Sequence, residues 1–354
     1  MFSGFINTVD THTAGQPTRV VLSGFPPIRA DSMLQVKERL ASEHDSLRKM
    51  LMHEPRGHRD MFGAVLFPPV DPAGDLGVVF MDTGGYLNMC GHGCMGVAAA
   101  AWRLGLAPGT GDDRLRLDTP AGLVETAAAG SDRDGSLAIT VRNVPAFALP
   151  GEHRVPASAL ESGTAWAVGV GAGESIPLHI AFGGSFFAAV ALESLPEGDR
   201  AATGDLISLA LEIRRHLNES CPVEHPANPG IRGVDLVEFY GLKKGRQGLS
   251  SRNLVVFGDG QVDRSPCGTG TSAEMALLHE RGLMGAGDRL TQVGPSGLPF
   301  TGRIAAITEV EGLPAVIPEI TGQAFITGFG QMVADRYDPL AEGFLLDEMP
   351  HWEG

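Results

Sequence analysis

Two stretches decide how this chain is read: residues 89–96, MCGHGCMG, and residues 263–278, DRSPCGTGTSAEMALL. Each places a cysteine, Cys90 or Cys267, immediately before a Gly-rich turn, and each turn runs into an Ala- and Leu-rich segment with the character of a helix. A cysteine at a helix start has its thiolate favoured by the helix dipole and by backbone N–H groups that lack acceptors. Two such cysteines, one in each half of the chain, suggest two acid/base groups facing one substrate.

The rest of the sequence repeats at nearly the same interval. Cys90 and Cys267 are 177 residues apart, Gly15 and Gly184 are 169, Pro120 and Pro295 are 175, and Phe147 and Phe325 are 178. That period is too long for a solenoid and implies a duplicated domain with a pseudo-two-fold axis. The expected fold is α/β, with residues 1–150 forming a half that carries Cys90 and residues 151–330 a half that carries Cys267. The tail, residues 335–354, is acidic and reads as an extended arm, and the segment from about 331 to 354 could pack on the first half, a placement the sequence leaves open. Hairpins are expected around Gly15 and Gly184, one surface helix over residues 32–52, and strands over 63–67, 76–82, 115–118, 123–127, 137–144, 234–240 and 253–257. A further helix is expected over 205–218, and the two cysteine-led helices end at Gly105 and Gly282. Residues 150–175 lack periodicity and read as the crossing between halves, and short strands are expected up to Val333. The axis brings Cys90 and Cys267 together in an interdomain cleft, a favoured place for a ligand.

At 354 residues with 43% apolar content and 48 glycines, the chain is globular and turn-rich. Its net charge of −15 argues against a nucleic-acid surface, which needs a basic stripe. No apolar run reaches the ~18–20 residues of a membrane span. The first fifteen residues lack the basic and apolar regions of a signal peptide, so a cytoplasmic protein with free thiols is expected. A homodimer is compatible with the sequence. A metal site would draw on Cys90, His92 and Cys94, but the second ligand pair of a structural zinc site is missing, and Cys221 with His225 is poorly spaced. No metal and no cofactor are therefore expected, and Cys94 and Cys221 read as packing residues.

A small amino acid fits between the two cysteines. Its carboxylate can accept N–H groups from both helix starts, at Gly91 and His92 and at Gly268 and Thr269. One thiolate removes the α-proton from one face while the other thiol returns a proton to the opposite face. Asp263 and His92 are the candidates to face the amine. Phe80 and Phe257 each lie ten residues before a cysteine. Together with Phe62 they would wall an apolar side chain and offer no partner for a hydroxyl.

The stretches HTAGQPTRVV (12–21), EPRGHRDMFGAV (54–65), FMDTGGYLNMCGHG (80–93), DTPAGLV (118–124), RNVPAF (142–147), AFGGSFF (181–187), VDLVEFY (234–240) and VVFGDGQVDRSPCGTGTSA (255–273) together resemble the proline racemase family. The resemblance spans about residues 8–344. It implies the diaminopimelate-epimerase-like fold, two pseudo-symmetric halves that each wrap a curved sheet about a central helix. It implies Cys90 and Cys267 as the acid/base pair, His92 and Asp263 near the amine, and Gly91, Gly268 and Thr269 around the carboxylate. Three activities occur on this scaffold: proline racemisation, hydroxyproline 2-epimerisation and trans-3-hydroxy-L-proline dehydration. The dehydratases typically carry threonine at the second cysteine, and this chain keeps Cys267. The pocket phenylalanines of proline racemases fall where Phe62, Phe80 and Phe257 fall here, so proline is the expected substrate and 4- or 3-hydroxyproline the alternative. Gln16 stands where the family often has Glu, and Cys94 where Thr or Ser is usual. A non-catalytic amino-acid-binding or zinc-binding protein would show binding without α-proton exchange.

Overall fold

Val78, Val79, Phe80 and Met81 lie on both faces of one strand and are all buried, as a strand covered on both sides demands. The computed structural model describes residues 2–106, 114–131, 137–198, 200–245 and 248–346, the side chains of residues 2, 3 and 129–131 excepted. The first half runs β1 (Phe2–Thr13), β2 (Gln16–Ser23), α1 (Met33–Glu43), α2 (Asp45–Met52), β3 (Phe62–Phe67), β4 (Leu76–Asp82), β5 (Tyr86–Leu87), α3 (Gly91–Leu104), β6 (Arg114–Thr119), β7 (Gly122–Ser131) and β8 (Leu137–Arg142). There follow β9 (Ala146–Ala148), β10 (His153–Pro156), α4 (Ser162–Ala167), β11 (Ser175–Phe182), β12 (Phe186–Ala191), α5 (Thr203–Ser220), β13 (Glu224–His225) and β14 (Asn228–Arg232). The chain then makes β15 (Leu236–Gly245), β16 (Gly248–Phe257), β17 (Gln261–Val262), α6 (Gly268–Glu280), β18 (Arg289–Val293), β19 (Pro299–Val310) and β20 (Leu313–Asp335).

The two halves share one pairing plan. In the first, β1–β2 is antiparallel, β2–β3 parallel, β3–β4 antiparallel, β4–β6 parallel, and β6–β7 and β7–β8 antiparallel. In the second, β11–β12, β12–β15, β15–β16, β16–β18, β18–β19 and β19–β20 repeat those senses in the same order. Each ladder closes on itself. β20 joins β8 to β1, and β20 with β9 joins β19 to β11. One helix fills each closed sheet. Residues from Gly91 to Ala101 of α3 and from Gly268 to Leu278 of α6 are buried, so apolar residues occur all round both helices instead of in a stripe.

The structure corrects three sequence expectations. Residues 313–335 form one 23-residue strand where short strands were expected. Gly322 within it is required by packing, because a Cβ there would lie 2.6 Å from the Phe300 ring and 2.9 Å from Met95 Sδ. The single helix over 32–52 is two helices meeting at His44, whose φ of −138° is not helical. The second of them turns Arg48, Leu51 and Met52 inward, and Arg48 Nη1 donates to the Asp82 carbonyl at 2.9 Å. The crossing over 150–175 contains β10 and α4. Glu212 of α5 accepts from Glu161 N and Thr164 Oγ1 at the start of α4, a long-range cap that local periodicity cannot reveal.

The chain after β20 returns to the first half, where Phe344 bridges Glu54 and Asp338 pairs with Arg56 Nη2 at 3.0 Å. Residues 347–354 of the expected arm lie outside the described residues. Among the described residues no helix is long and apolar enough to cross a membrane.

Candidate active site

β4 and β16 deliver their chains through short turns to two cysteines. Cys90 is the N-cap of α3, and its Sγ accepts from Gly93 N–H at 3.3 Å. Cys267 is the N-cap of α6, and its Sγ accepts from Gly270 N–H at 3.4 Å. A capping sulfur uses the third free amide of each helix. The first two amides, at Gly91 and His92 and at Gly268 and Thr269, have no acceptor within their own helix by the geometry of a helix start. The two starts touch. A Cβ on Gly91 would lie 2.6 Å from Gly268 Cα, and one on Gly268 would lie 2.8 Å from Gly91 Cα. Only glycine allows backbones to approach this closely.

The proposed amine partners come from opposite halves and meet. His92 Nδ1 is 3.2 Å from Cys90 Sγ and 3.4 Å from Asp263 Oδ2. Asp263 is 3% exposed, and its other oxygen accepts from Ser265 N at 2.8 Å and Ser265 Oγ at 2.7 Å. Ser265 Oγ in turn accepts from Cys267 N–H at 3.1 Å. Ser265 is therefore the link from the acid to the second cysteine. Sequence reading passed over it, although its Asp-x-Ser spacing carries the signal of an Asx turn. Thr269 Oγ1 is 3.5 Å from Cys267 Sγ. Thr13 Oγ1 donates to the His92 carbonyl at 3.0 Å, and Gln16 Oε1 accepts from Arg264 N at 2.8 Å, tying the first hairpin to the second half. Gln261 Nε2 makes a second such tie to Thr83 Oγ1.

The three phenylalanines cluster at this site. The Phe62 ring lies 6.1 Å from Phe80, 6.3 Å from Phe257 and 4.5 Å from the His92 imidazole, edge-on to the last two. A Cβ on Gly93 would press on the Phe80 ring at 2.6 Å. Cys94 faces the core and is fully buried, while Cys221 pairs loosely with His153 Nδ1 at 3.8 Å and lies apart from the site.

The thiols depart from expectation in one respect. The helix starts were expected to lower their pKa values, but both thiols are pushed well above the ordinary range. Burial is the largest cause for each, and the Asp263 carboxylate is the next. At Cys90 the Gly93 amide opposes the rise, and at Cys267 the Thr269 hydroxyl and the Gly270 amide do. The sequence shows the helix start but not the depth at which the sulfurs sit, 6% and 4% exposed.

Known proteins resemble this chain along almost its whole length. A proline racemase family profile matches residues 8–345. A proline racemase of Clostridioides difficile is 41% identical over 350 residues, covering 98% of this chain and 99% of the relative. A 4-hydroxyproline 2-epimerase of Streptosporangium roseum is 40% identical over 346 residues, covering 96% and 98%. The crystal structure of a hydroxyproline epimerase from Agrobacterium vitis with bound trans-4-hydroxy-L-proline superposes with a TM-score of 0.85 at 30% identity, covering 98% of both chains. With its paired cysteine turns and closed sheets already matched end to end, the chain belongs to the proline racemase family.

Proposed function

We propose that this protein is a cofactor-independent isomerase that inverts the α-carbon of proline, with Cys90 and Cys267 as the two acid/base groups. The observation that carries the reading is the contact of the two cysteine-capped helix starts at Gly91 and Gly268. It sets two thiols and two pairs of acceptor-free amides around one small volume. The halves, residues 1–150 with the tail from about 331 and residues 151–330, would part to admit substrate and close over it.

The bound zwitterion supplies what the thiols lack. Its carboxylate takes the first-turn amides of Gly91, His92, Gly268 and Thr269, which strengthen their hold as charge builds at the α-carbon. Its ammonium faces the Asp263 carboxylate and His92. Pairing Asp263 with a cation removes the second cause of the raised thiol pKa values, so each sulfur is more readily held as the thiolate once substrate is bound. One thiolate then takes the α-proton, the opposite thiol gives one, and the stereocentre inverts. The sulfurs exchange roles for the reverse reaction.

The ring of the substrate would lie against Phe62, Phe80 and Phe257, none of which can pair with a hydroxyl. This favours proline. Turnover of 4-hydroxyproline by the same mechanism is the second reading, favoured by the epimerase relative at 40% identity. A polarimetric panel of proline, 4-hydroxyproline and trans-3-hydroxyproline tests both. The expected result is a higher kcat/KM for proline than for either hydroxy compound, with no pyrroline trapped. Faster 4-hydroxyproline turnover would replace the first reading by the second. Pyrroline formation would overturn both.

A further inference from the structure

The two cysteines rest on different floors. At Cys90 the backbone is ordinary, with φ −148° and ψ 121°, and the helix turn packs on aromatic carbon. At Cys267 the backbone is not ordinary. Its φ is +59° and its ψ 105°, a left-handed setting that a residue with a Cβ adopts only when its surroundings impose it. Beneath that turn the floor is polar. A Cβ on Gly270 would lie 3.1 Å from Glu238 Oε1 and 3.3 Å from Cys267 Sγ, so the Glu238 carboxyl and the sulfur border the same glycine.

Asn253 joins that carboxyl to the strained turn. Its Nδ2 donates to Glu238 Oε1 at 2.6 Å and to the Pro266 carbonyl at 2.7 Å. Pro266 O belongs to the peptide whose nitrogen is Cys267 N, so this bond fixes the plane that enters the cysteine. Thr271 Oγ1 reaches the same oxygen at a longer 3.3 Å. Glu238 is fully buried on β15, and Glu274 of α6, also fully buried, is held by Gln292 Nε2 at 2.8 Å. Burial first, and the charge of Glu274 second, push the Glu238 carboxyl well above the usual range, with the Asn253 hydrogen bond opposing the rise.

We propose that Glu238, acting through Asn253, is a positioning residue for Cys267, a latch that holds the Pro266–Cys267 peptide in the strained setting that aims Sγ at the substrate. The matching position of α3 differs: Val97 stands where α6 has Glu274, and Cys90 needs no strained setting. The proposal rests on the two-cysteine reading for its effect on turnover but not for its effect on the geometry of Cys267.

The test uses the full-length enzyme and three variants, Glu238→Gln, Glu238→Ala and Asn253→Ala. Gln keeps an oxygen acceptor for Asn253, whereas each Ala variant breaks the latch. Two readouts are taken: racemisation with kcat and KM resolved, and the ratio of Cys267 to Cys90 alkylation by iodoacetamide in the same tube, read by peptide mass spectrometry. Both Ala variants should lower kcat by about ten- to a hundredfold, the cost of a roughly 1 Å misplacement, with KM changed less than about threefold. They should also shift the labelling ratio, while Glu238→Gln stays close to the parent in both. If Glu238→Ala does not fold, Asn253→Ala decides the matter alone. An unchanged labelling ratio in the Ala variants overturns the latch, and so does a Gln variant as impaired as the Ala one. A shifted ratio with unchanged kcat keeps the latch and counts instead against Cys267 as a catalytic residue.

Discussion

Set side by side, the starts of α3 and α6 are alike at the sulfur and unlike one layer out. Each has a cysteine N-cap, a first glycine in contact with the other helix, and a third-position amide bonded to the sulfur. Around Cys90 the neighbours are His92 and the rings of Phe62 and Phe80. Around Cys267 they are Thr269, Ser265 and the Glu238–Asn253 pair. Asp263 has no acidic twin, since the residue 177 positions earlier is Tyr86. A second acid there would leave one buried carboxylate without a partner when a substrate brings a single ammonium. The duplication thus keeps symmetry where a proton would move through either face. It gives symmetry up where one amine and one ring would each be held on a particular side.

The strongest way to break this comparison is to remove one sulfur at a time. Cys90→Ser and Cys267→Ser should each lower racemisation by at least about a thousandfold, because either loss removes one of the two proton-transfer groups. The assay is loss of optical rotation together with α-deuterium uptake from heavy water. Full racemisation by either variant would end the two-thiol account. The next test strikes the contact between helix starts. Gly91→Ala and Gly268→Ala each drive a Cβ to within 2.8 Å of the other helix backbone, which has no flexible end to give way. Each should cost about 1–3 kcal/mol of stability by overpacking and lower kcat/KM by about a hundredfold as the two starts are pushed apart. Chemical denaturation and initial rates measure the two effects. Tolerance of both alanines would mean that the closed contact is not the working geometry.

Much of this arrangement is legible in the sequence, for reasons that particular residues make plain. Gly-rich turns before apolar helices are local signals, so Cys90, Cys267 and the ends of α3 at Gly105 and of α6 near Gly282 could be placed by reading alone. The repeat interval was visible because the turns survived duplication. Phe80 and Phe257 could be grouped because each lies on the strand that feeds one of the two cysteine turns. Contacts made across the fold stayed out of sight. Asn253 reaching the Pro266 carbonyl, Gln16 reaching Arg264 and Glu212 capping α4 all join residues whose nearness no periodicity encodes. β20 runs unbroken through Gly322, a glycine set by close packing against Phe300 and Met95 and not by chain reversal. The thiols' protonation was misread because burial is a property of the closed sheets and not of the motif.

An effect on stability, with little expected on turnover, sharpens the comparison at the turns that lead to the cysteines. Asp82 and Asp259 occupy matching places, 177 residues apart, yet Asp82 is buried and Asp259 exposed. Asp82 Oδ1 accepts from Gly84 N at 2.8 Å and Gly85 N at 2.7 Å. Burial nonetheless raises its pKa from 3.8 to about 6, with the two amides and Arg48 opposing the rise and Asp259 adding to it. The folded protein thus binds this proton more tightly than the unfolded chain does. Between about pH 4 and pH 6 the native state carries the extra proton, so stability from this group falls as pH rises through that window. The penalty is complete above about pH 6 and amounts to roughly 3 kcal/mol at ~1.4 kcal/mol per pH unit. Asp82→Asn keeps the oxygen that the two glycine amides use and removes the charge. It should therefore melt higher than the parent at pH 8, with the difference shrinking toward zero by pH 4. Asp259→Asn, at the exposed site, should change the melting temperature little at any pH. An Asp82→Asn offset that is the same at pH 4 and pH 8 would mean that the cost at this turn is one of shape and not of charge.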